Sequence, residues 1–501
     1  MKNVYSGSFE GINAKSVCVE TSFTKGLPSF SIVGLGSASI QESKERIKSA
    51  LAANDFIFPP MKVIINLSPS DLKKEGTHFD LCGALLIALQ NKEVNFDGFH
   101  IFGELGLDGA VKETSSLFAL VLSLAQSQAL SKAIVPASSL SKLSCIPNIE
   151  LYGVNNLSEC IDFFLSIDKK ESFISKEFTY PFIQTKHEKL FYQNDYPYDF
   201  NQVKGQEHAK RAALICATGM HNLLLEGSPG CGKSMIAKRL HYILPPLHTD
   251  EILENAKLNA LEGIEPNFEP LRPFRHPHHT STPASIFGGG SNTSKIGEIG
   301  LAHGGVLFFD ELPHFPKNIL EALREPLEDR RILISRVNSK VEYPTDVVFV
   351  AAMNPCPCGN LYHIQKSCRC SDLEVSRYKN RLSEPFLDRI DISVQMQASV
   401  QDDKASLSSA QMHQDVFKAL LLREERNQSK PNGKLNDEEI QIFCVVSDEL
   451  QRMLHQAGEQ FGLSFRAINK VLKISRTIAD LSNSLEIRKE HLMEALSYRR
   501  R

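Results

Sequence analysis

Asn222-Leu-Leu-Leu-Glu226 runs directly into Gly227-Ser228-Pro229-Gly230-Cys231-Gly232-Lys233-Ser234, and Met235 to Leu244 follow without a break. The apolar run predicts a strand, the G-x-x-x-x-G-K-S segment a phosphate-binding loop, and the amphipathic run a helix. Glycines at this spacing let backbone N–H groups converge on phosphates without Cβ interference, so Gly227 to Gly232 are expected to wrap the anion. Lys233 can then reach the β- and γ-phosphates of a nucleotide such as ATP, and the Ser234 hydroxyl can ligate Mg²⁺.

Working outward, Val306-Leu-Phe-Phe309 is an apolar run that ends in Asp310-Glu311. Four apolar residues closing on two carboxylates suit a buried parallel strand whose C-terminal end faces the nucleotide. Asp310 is expected at the Mg²⁺ and Glu311 as the group that polarises the attacking water. Alone the motif is weak, because apolar strands often end in an exposed acid; with the loop it becomes specific.

Strands and helices alternate with glycine-rich connections from 199 to about 395, which predicts a parallel sheet with helices on both faces, assigned to 199–400. Residues 1–165 read as a second α/β domain, with strands Phe30 to Val33, Val63 to Leu67 and Ile134 to Val135 and helices Ile40 to Ala53 and Asp80 to Leu89. Residues 166–198 are punctuated by Lys and Pro and read as a linker. From 401 to 501 the pattern turns helical: Leu407 to Arg426, Asp437 to Phe461, Phe465 to Leu481 and Ile487 to Arg499.

The 501 residues carry 56 Lys+Arg against 59 Asp+Glu, with 42% hydrophobic and 23% charged residues, which excludes a disordered or fibrous chain and suits about three domains. A net charge of -3 means that any nucleic-acid contact must come from a local basic surface. There is no signal-like start and no apolar stretch of membrane-spanning length, so a cytoplasmic location without membrane contact is expected. Eleven cysteines, an odd number, argue against a disulfide framework. Four of them form two C-x-C pairs, Cys356/Cys358 and Cys368/Cys370, and four thiolates can close a tetrahedral Zn²⁺ site. His276, His278 and His279 are a rival zinc set, but they lack the i, i+4 spacing that converges imidazoles on one ion.

The fragments DFNQVKGQ (199 to 206), GSPGCGKS, RPFRHPHHT (272 to 280), GEIGLAHGGVLFFDELPHF (297 to 315), AAMNPCPCG (351 to 359) and LDRIDI (387 to 392) together resemble the Mg-chelatase-like AAA+ ATPases of the ComM (YifB) branch, across essentially the whole chain. The resemblance implies an AAA+ core with a C-terminal helical lid, Asn354 as the sensor of the hydrolytic water, Arg389 as an arginine finger acting on a neighbouring subunit, and Arg466 as a second sensor. Arg381 is a competing finger. The resemblance further implies a homo-hexamer that acts on single-stranded or branched DNA, with branch migration during natural transformation. The insertion Arg272 to Gly300 would then be a pore-facing hairpin, and Arg272, Arg275, Lys295 and the three histidines would form a positive collar.

Residues 76 to 136 resemble the proteolytic domain of Lon-type proteases. At the Ser and Lys positions of the protease pair stand Asp80 and Phe118, so the fold is expected without the chemistry. Ser70, Lys73 and Lys74 precede the nucleophile position. The competing functions are an ATP-dependent protein-remodelling or protease-related factor, a metal-chelatase ATPase subunit that would work with porphyrin-binding partners, and a nucleotide-dependent scaffold.

Overall fold

In the computed structural model, residues 2–166, 172–173, 175–186, 188–289, 295–335, 340–363, 366–397 and 406–499 are described. They form two compact units, 1–179 with 253–268 and 335–342, and 180–252 with 269–334 and 343–501.

The first unit is built on a seven-stranded mixed sheet in the order Ser29–Val33, Lys62–Ser68, Asn13–Thr24, Asn3–Glu10, Phe99–Ile101, Lys132–Pro136, Glu150–Val154. Its centre is the antiparallel hairpin Asn3–Glu10/Asn13–Thr24, which turns at Gly11 with φ 68°. Sequence reading missed this hairpin. Burial alternates along Asn13–Thr24, but Ser6 and Ser8 take inward positions, which blurs the hydrophobic period of two. The helix Asp80–Ala88 is buried from Asp80 to Ile87, and Leu117–Gln126 from Leu117 to Leu124. Over those buried stretches both are almost entirely apolar, because the core surrounds them on every face.

The second unit holds a five-stranded, all-parallel sheet in the order Phe274–Arg275, Val306–Phe309, Val348–Met353, Leu223–Gly227, Ile392–Met396. Alternate residues feed two different cores, as the pleat requires: Leu223, Leu225, Phe308 and Val350 on one face, Leu224, Leu307, Phe309 and Phe349 on the other. Near-continuous apolar runs follow from that double burial. The first strand in sequence lies between the last two, so the chain reverses direction across the sheet there and leaves a crevice at the C-terminal strand ends.

The C-terminal helices do not stand apart as a bundle. Met412, Val416, Leu450, Val471, Ile474, Ile478 and Leu492 join the first of those two cores. The single helix expected over Asp437 to Phe461 is two, Asp437–Phe443 and Asp448–Phe461. Val445 and Val446 are β-branched, and the Ser447 side chain caps the second helix by accepting from the Leu450 N–H, so the break is written in the sequence as a capping site. Within the expected linker, Phe182–Gln184 and Lys189–Phe191 pair as a small antiparallel hairpin. Among the described residues no helix is long and apolar enough to cross a membrane.

Candidate nucleotide site

The phosphate loop leaves the strand Leu223–Gly227 and enters the helix Lys233–Leu240. Gly230 and Gly232 turn it with φ of 81° and 96°, a region that L side chains rarely adopt. At Gly227 an added Cβ would lie 2.7 Å from both Cys231 Sγ and the Met396 carbonyl, so the loop closes only on glycine there.

Lys233 is buried, and its ammonium donates to the carbonyls of Gly227 (2.6 Å) and Ser228 (3.0 Å) and to Asn354 Oδ1 (3.1 Å). Burial lowers its pKa, and Asp310 and Glu311 are among the groups opposing that shift. Asn354 directly follows the strand Val348–Met353, which delivers it beside the loop. The Ser234 hydroxyl donates to Asp310 Oδ2 at 2.7 Å, so the two expected Mg²⁺ ligands already meet. Glu311 has left-handed backbone, φ 53°, and its side chain stays more than half exposed. His279 Nδ1 lies 3.6 Å from its Oε2, a neighbour that sequence reading did not give it.

Two further contacts were invisible in the sequence. Glu226, the last side chain before the loop, pairs with Lys379 at 3.1 Å. Arg381 Nη1 donates to the Pro313 carbonyl at 3.0 Å, two residues past Glu311. Arg381 therefore belongs to the same sheet edge as its own phosphate loop.

Arg389 lies at the other edge. It precedes the strand Ile392–Met396, and its carbonyl accepts from Asn222 Nδ2 at 2.7 Å, immediately before the strand Leu223–Gly227 begins. A five-residue parallel strand separates that edge from the phosphate loop by roughly 15 Å. Arg466 joins Arg389 there through a shared carboxylate: Glu328 pairs with both, at 2.6 Å to Arg466 Nη2. Burial works against the ionised Glu328, but the two arginines outweigh it and hold its pKa below the usual carboxylate range. These three residues, with Arg330, Lys470 and Lys473, line a cavity of about 490 Å³ that no phosphate-loop residue touches.

The insertion behaves differently from expectation. Gly288–Gly289 and Lys295–Ile296 do pair as an antiparallel hairpin stub, and 290–294 lie outside the described residues. Arg272, however, is buried and bonded to the carbonyls of Pro245, Pro246 and Gly304 and to Glu251. Arg275 makes a two-pronged pair with Glu298 at 2.6 and 2.8 Å. Their charge is neutralised inside the unit, so neither contributes to a positive collar. The His276 ring lies tilted against Phe308, with ring centres 4.7 Å apart. The imidazole trio is not a metal site; among the described residues the one group of that kind is Cys356, Cys358, Cys368 and Cys370, whose thiols all lie within 4.8 Å of one another. Two further short strands, Arg331–Ser335 and Lys340–Pro344, were not foreseen, and Arg331 and Lys340 are exposed on them.

In the first unit, Asp80 opens its helix and pairs with Arg46 at 2.6 Å. Phe118 is buried edge-on to Phe268. Lys73 pairs with Glu75 at 2.5 Å, and Lys74 is turned to the Pro69 carbonyl. These placements leave no amine poised on a nucleophile at the protease positions.

Comparison with known proteins agrees with this arrangement. The family "Magnesium chelatase, subunit ChlI" matches residues 199–404, "Subunit ChlI of Mg-chelatase" matches 19–139, and "Magnesium chelatase, subunit ChlI C-terminal" matches 406–499. Competence protein ComM of Haemophilus influenzae is 37% identical over 99% of this chain and 97% of its own length. Protein YifB of Escherichia coli is 36% identical over 99% of this chain and 96% of its own. An archaeal Lon protease of Archaeoglobus fulgidus shares 53 residues at 43% identity, 11% of this chain and 8% of the protease. On full-length similarity of this kind, the chain belongs to the ComM/YifB family of Mg-chelatase-like AAA+ ATPases.

Proposed function

We propose that the chain is an ATP-hydrolysing subunit of a cytoplasmic homo-hexameric ring that moves on DNA. The observation that carries the ATPase half is a buried, carbonyl-held Lys233 beside a Ser234 whose hydroxyl meets Asp310 at 2.7 Å. An ammonium at a helix N-terminus faces the positive end of the helix dipole, so an arriving polyphosphate relieves an unfavourable arrangement. Ser234 and Asp310 are the residues that would hold Mg²⁺, which when bound draws charge from the β- and γ-phosphates. Glu311 accepts the proton of the attacking water, and Asn354 orients that water.

Arg389 and Arg466 act together on a neighbour's nucleotide. Both sit on Glu328, at the sheet edge remote from their own phosphate loop, and two guanidiniums that share one carboxylate are equally able to share a γ-phosphoryl group. Arg381, on the nucleotide edge, is the weaker candidate for a finger in trans. Residues 1–165 serve as a protease-like domain without protease chemistry, 166–198 as connection, 199–400 as the ATPase core and 401–501 as the helical lid. The four clustered thiols complete the cofactor set as a structural zinc site.

For DNA, support comes from the competence role named for the Haemophilus relative and from the short strands on either side of Val306–Phe309 in sequence, which carry exposed Lys295 and Lys340. Six copies of such strands would concentrate charge that one chain of net charge -3 does not show. Branch migration during natural transformation is the task this reading assigns. The test is ATP hydrolysis with and without single-stranded and forked DNA, followed by strand exchange on a labelled three-strand substrate with Lys233→Ala as control. DNA stimulation and ATP-dependent exchange are expected; an assembled ring whose hydrolysis ignores DNA and exchanges no strand would leave protein remodelling or scaffolding ahead.

A further inference from the structure

We propose that one Zn²⁺ held by Cys356, Cys358, Cys368 and Cys370 controls nucleotide affinity, because the loop it closes is part of the wall of the phosphate loop. The coupling rests on the nucleotide reading above; the metal itself rests on the thiols alone.

The Sγ atoms of Cys356 and Cys358 lie 3.4 Å apart, and Cys368 is 3.6 Å from each. A tetrahedral zinc with Zn–S bonds of ~2.3 Å has edges of about 3.8 Å, so a metal needs only a few tenths of an ångström of expansion. Cys370 closes the set within 4.8 Å. The stretch from Pro355 to Ser371 contains no helix or strand among its described residues. An irregular loop of that length keeps one shape only if something fastens it, and the four thiols are placed to do so.

What the loop touches gives the metal its consequence. Cys356 follows Asn354, the acceptor of the Lys233 ammonium, by two residues. Gly359 has φ 76° and lies so close to the phosphate loop that a Cβ there would stand 2.5 Å from Pro229 Cδ. Beyond Cys370, the helix Asp372–Lys379 ends with Lys379 on Glu226, and Arg381 follows on the Pro313 carbonyl. The segment from Asn354 to Arg381 thus braces the phosphate loop on one side and the Asp310-Glu311 turn on the other. Without the metal its centre is unfastened, and Asn354 and Pro229 lose their support.

The experiment uses untagged full-length protein, with zinc measured per chain and affinity for a fluorescent ATP analogue measured before chelation, after chelation and after zinc is restored. About one zinc per chain is expected, as is a roughly tenfold weakening of analogue binding on chelation that zinc reverses. Cys368→Ser/Cys370→Ser should lose the metal and weaken binding alike. If that variant does not fold, the reversible chelation arm carries the test. Gly359→Val should keep the zinc and still weaken binding, because it displaces Pro229 directly. Zinc well below one per chain, or affinity unmoved by reversible removal, overturns the proposal. A zinc-loaded chain that binds no analogue even before chelation overturns the nucleotide reading itself, which distinguishes that failure from a failed coupling.

Discussion

Lys233 and Asp80 are both buried charges on the first residue of a helix, one in each unit, and they are treated in opposite ways. Asp80 lies at the favourable end of its helix dipole and pairs with Arg46 at 2.6 Å, while Leu105 N–H donates to it and Ser43 tethers the same arginine. Lys233 lies at the unfavourable end of its dipole and makes no ion pair among the described residues; carbonyl oxygens and Asn354 hold it. A charge whose partners are supplied by the fold is structural. A charge held by carbonyl oxygens with no ion pair of its own suits an incoming anion, and this difference is the basis for reading the nucleotide site in one unit and not in the other.

The contrast breaks first if Lys233 can be removed without consequence. Lys233→Ala is expected to abolish ATP binding or turnover while leaving thermal stability unchanged or slightly raised, because a buried charge with no ion pair is lost. Glu311→Gln should retain ATP and hydrolyse it too slowly to follow, measured by nucleotide retention and phosphate release; turnover at the wild-type rate would remove Glu311 from the mechanism. Next in size, Arg389→Ala should cost ~10³ in hydrolysis with nucleotide affinity little changed. Arg381→Ala should instead act within its own subunit, through the Pro313 turn.

The mirror experiment is Asp80→Ala. Arg46 would be stranded in a largely buried position, so a loss of about 3 kcal/mol in unfolding free energy is expected from denaturant titration. ATP turnover per folded chain should not change. A variant of normal stability and lost ATPase would place Asp80 in the chemistry and erase the distinction between the units.

Residue by residue, the smallest effect concerns histidines in both units. Burial pushes His78, His100, His241 and His413 down to about 4. Below the ordinary value of about 6.5 the unfolded chain takes up protons that the folded chain refuses, so stability is complete above that pH and is lost as pH falls toward 4, by at most ~1.4 kcal/mol per pH unit for each imidazole. Denaturation midpoints at pH 7.5 and 5.5 should therefore fall on acidification. A midpoint that rises would mean that these rings are charged in the folded protein.

Much of the nucleotide edge was legible because contiguous residues build it. The run from Asn222 to Leu244 encodes a strand, a loop and a helix in order, and Asp310 follows its own strand directly. The arginine edge was legible only as names. That Arg389 and Arg466 share Glu328, across 61 and 138 residues of chain, appears in no local pattern. Arg272 misled for the same reason: its composition reads as a basic loop, while three carbonyls and Glu251, brought from elsewhere in the chain, make it part of the interior. The hairpin Asn3–Glu10/Asn13–Thr24 escaped because serines replace apolar residues on its inward face.

The central claim is that one copy's phosphate loop works with another copy's Arg389. Mixing Glu311→Gln with Arg389→Ala chains tests it most directly, since each variant alone lacks one half of every site. In randomly mixed rings about a quarter of the interfaces pair an intact phosphate-loop edge with an intact arginine edge, so hydrolysis should reappear on mixing two inactive proteins. Verified mixed assemblies that remain as inactive as either variant alone would contradict the account.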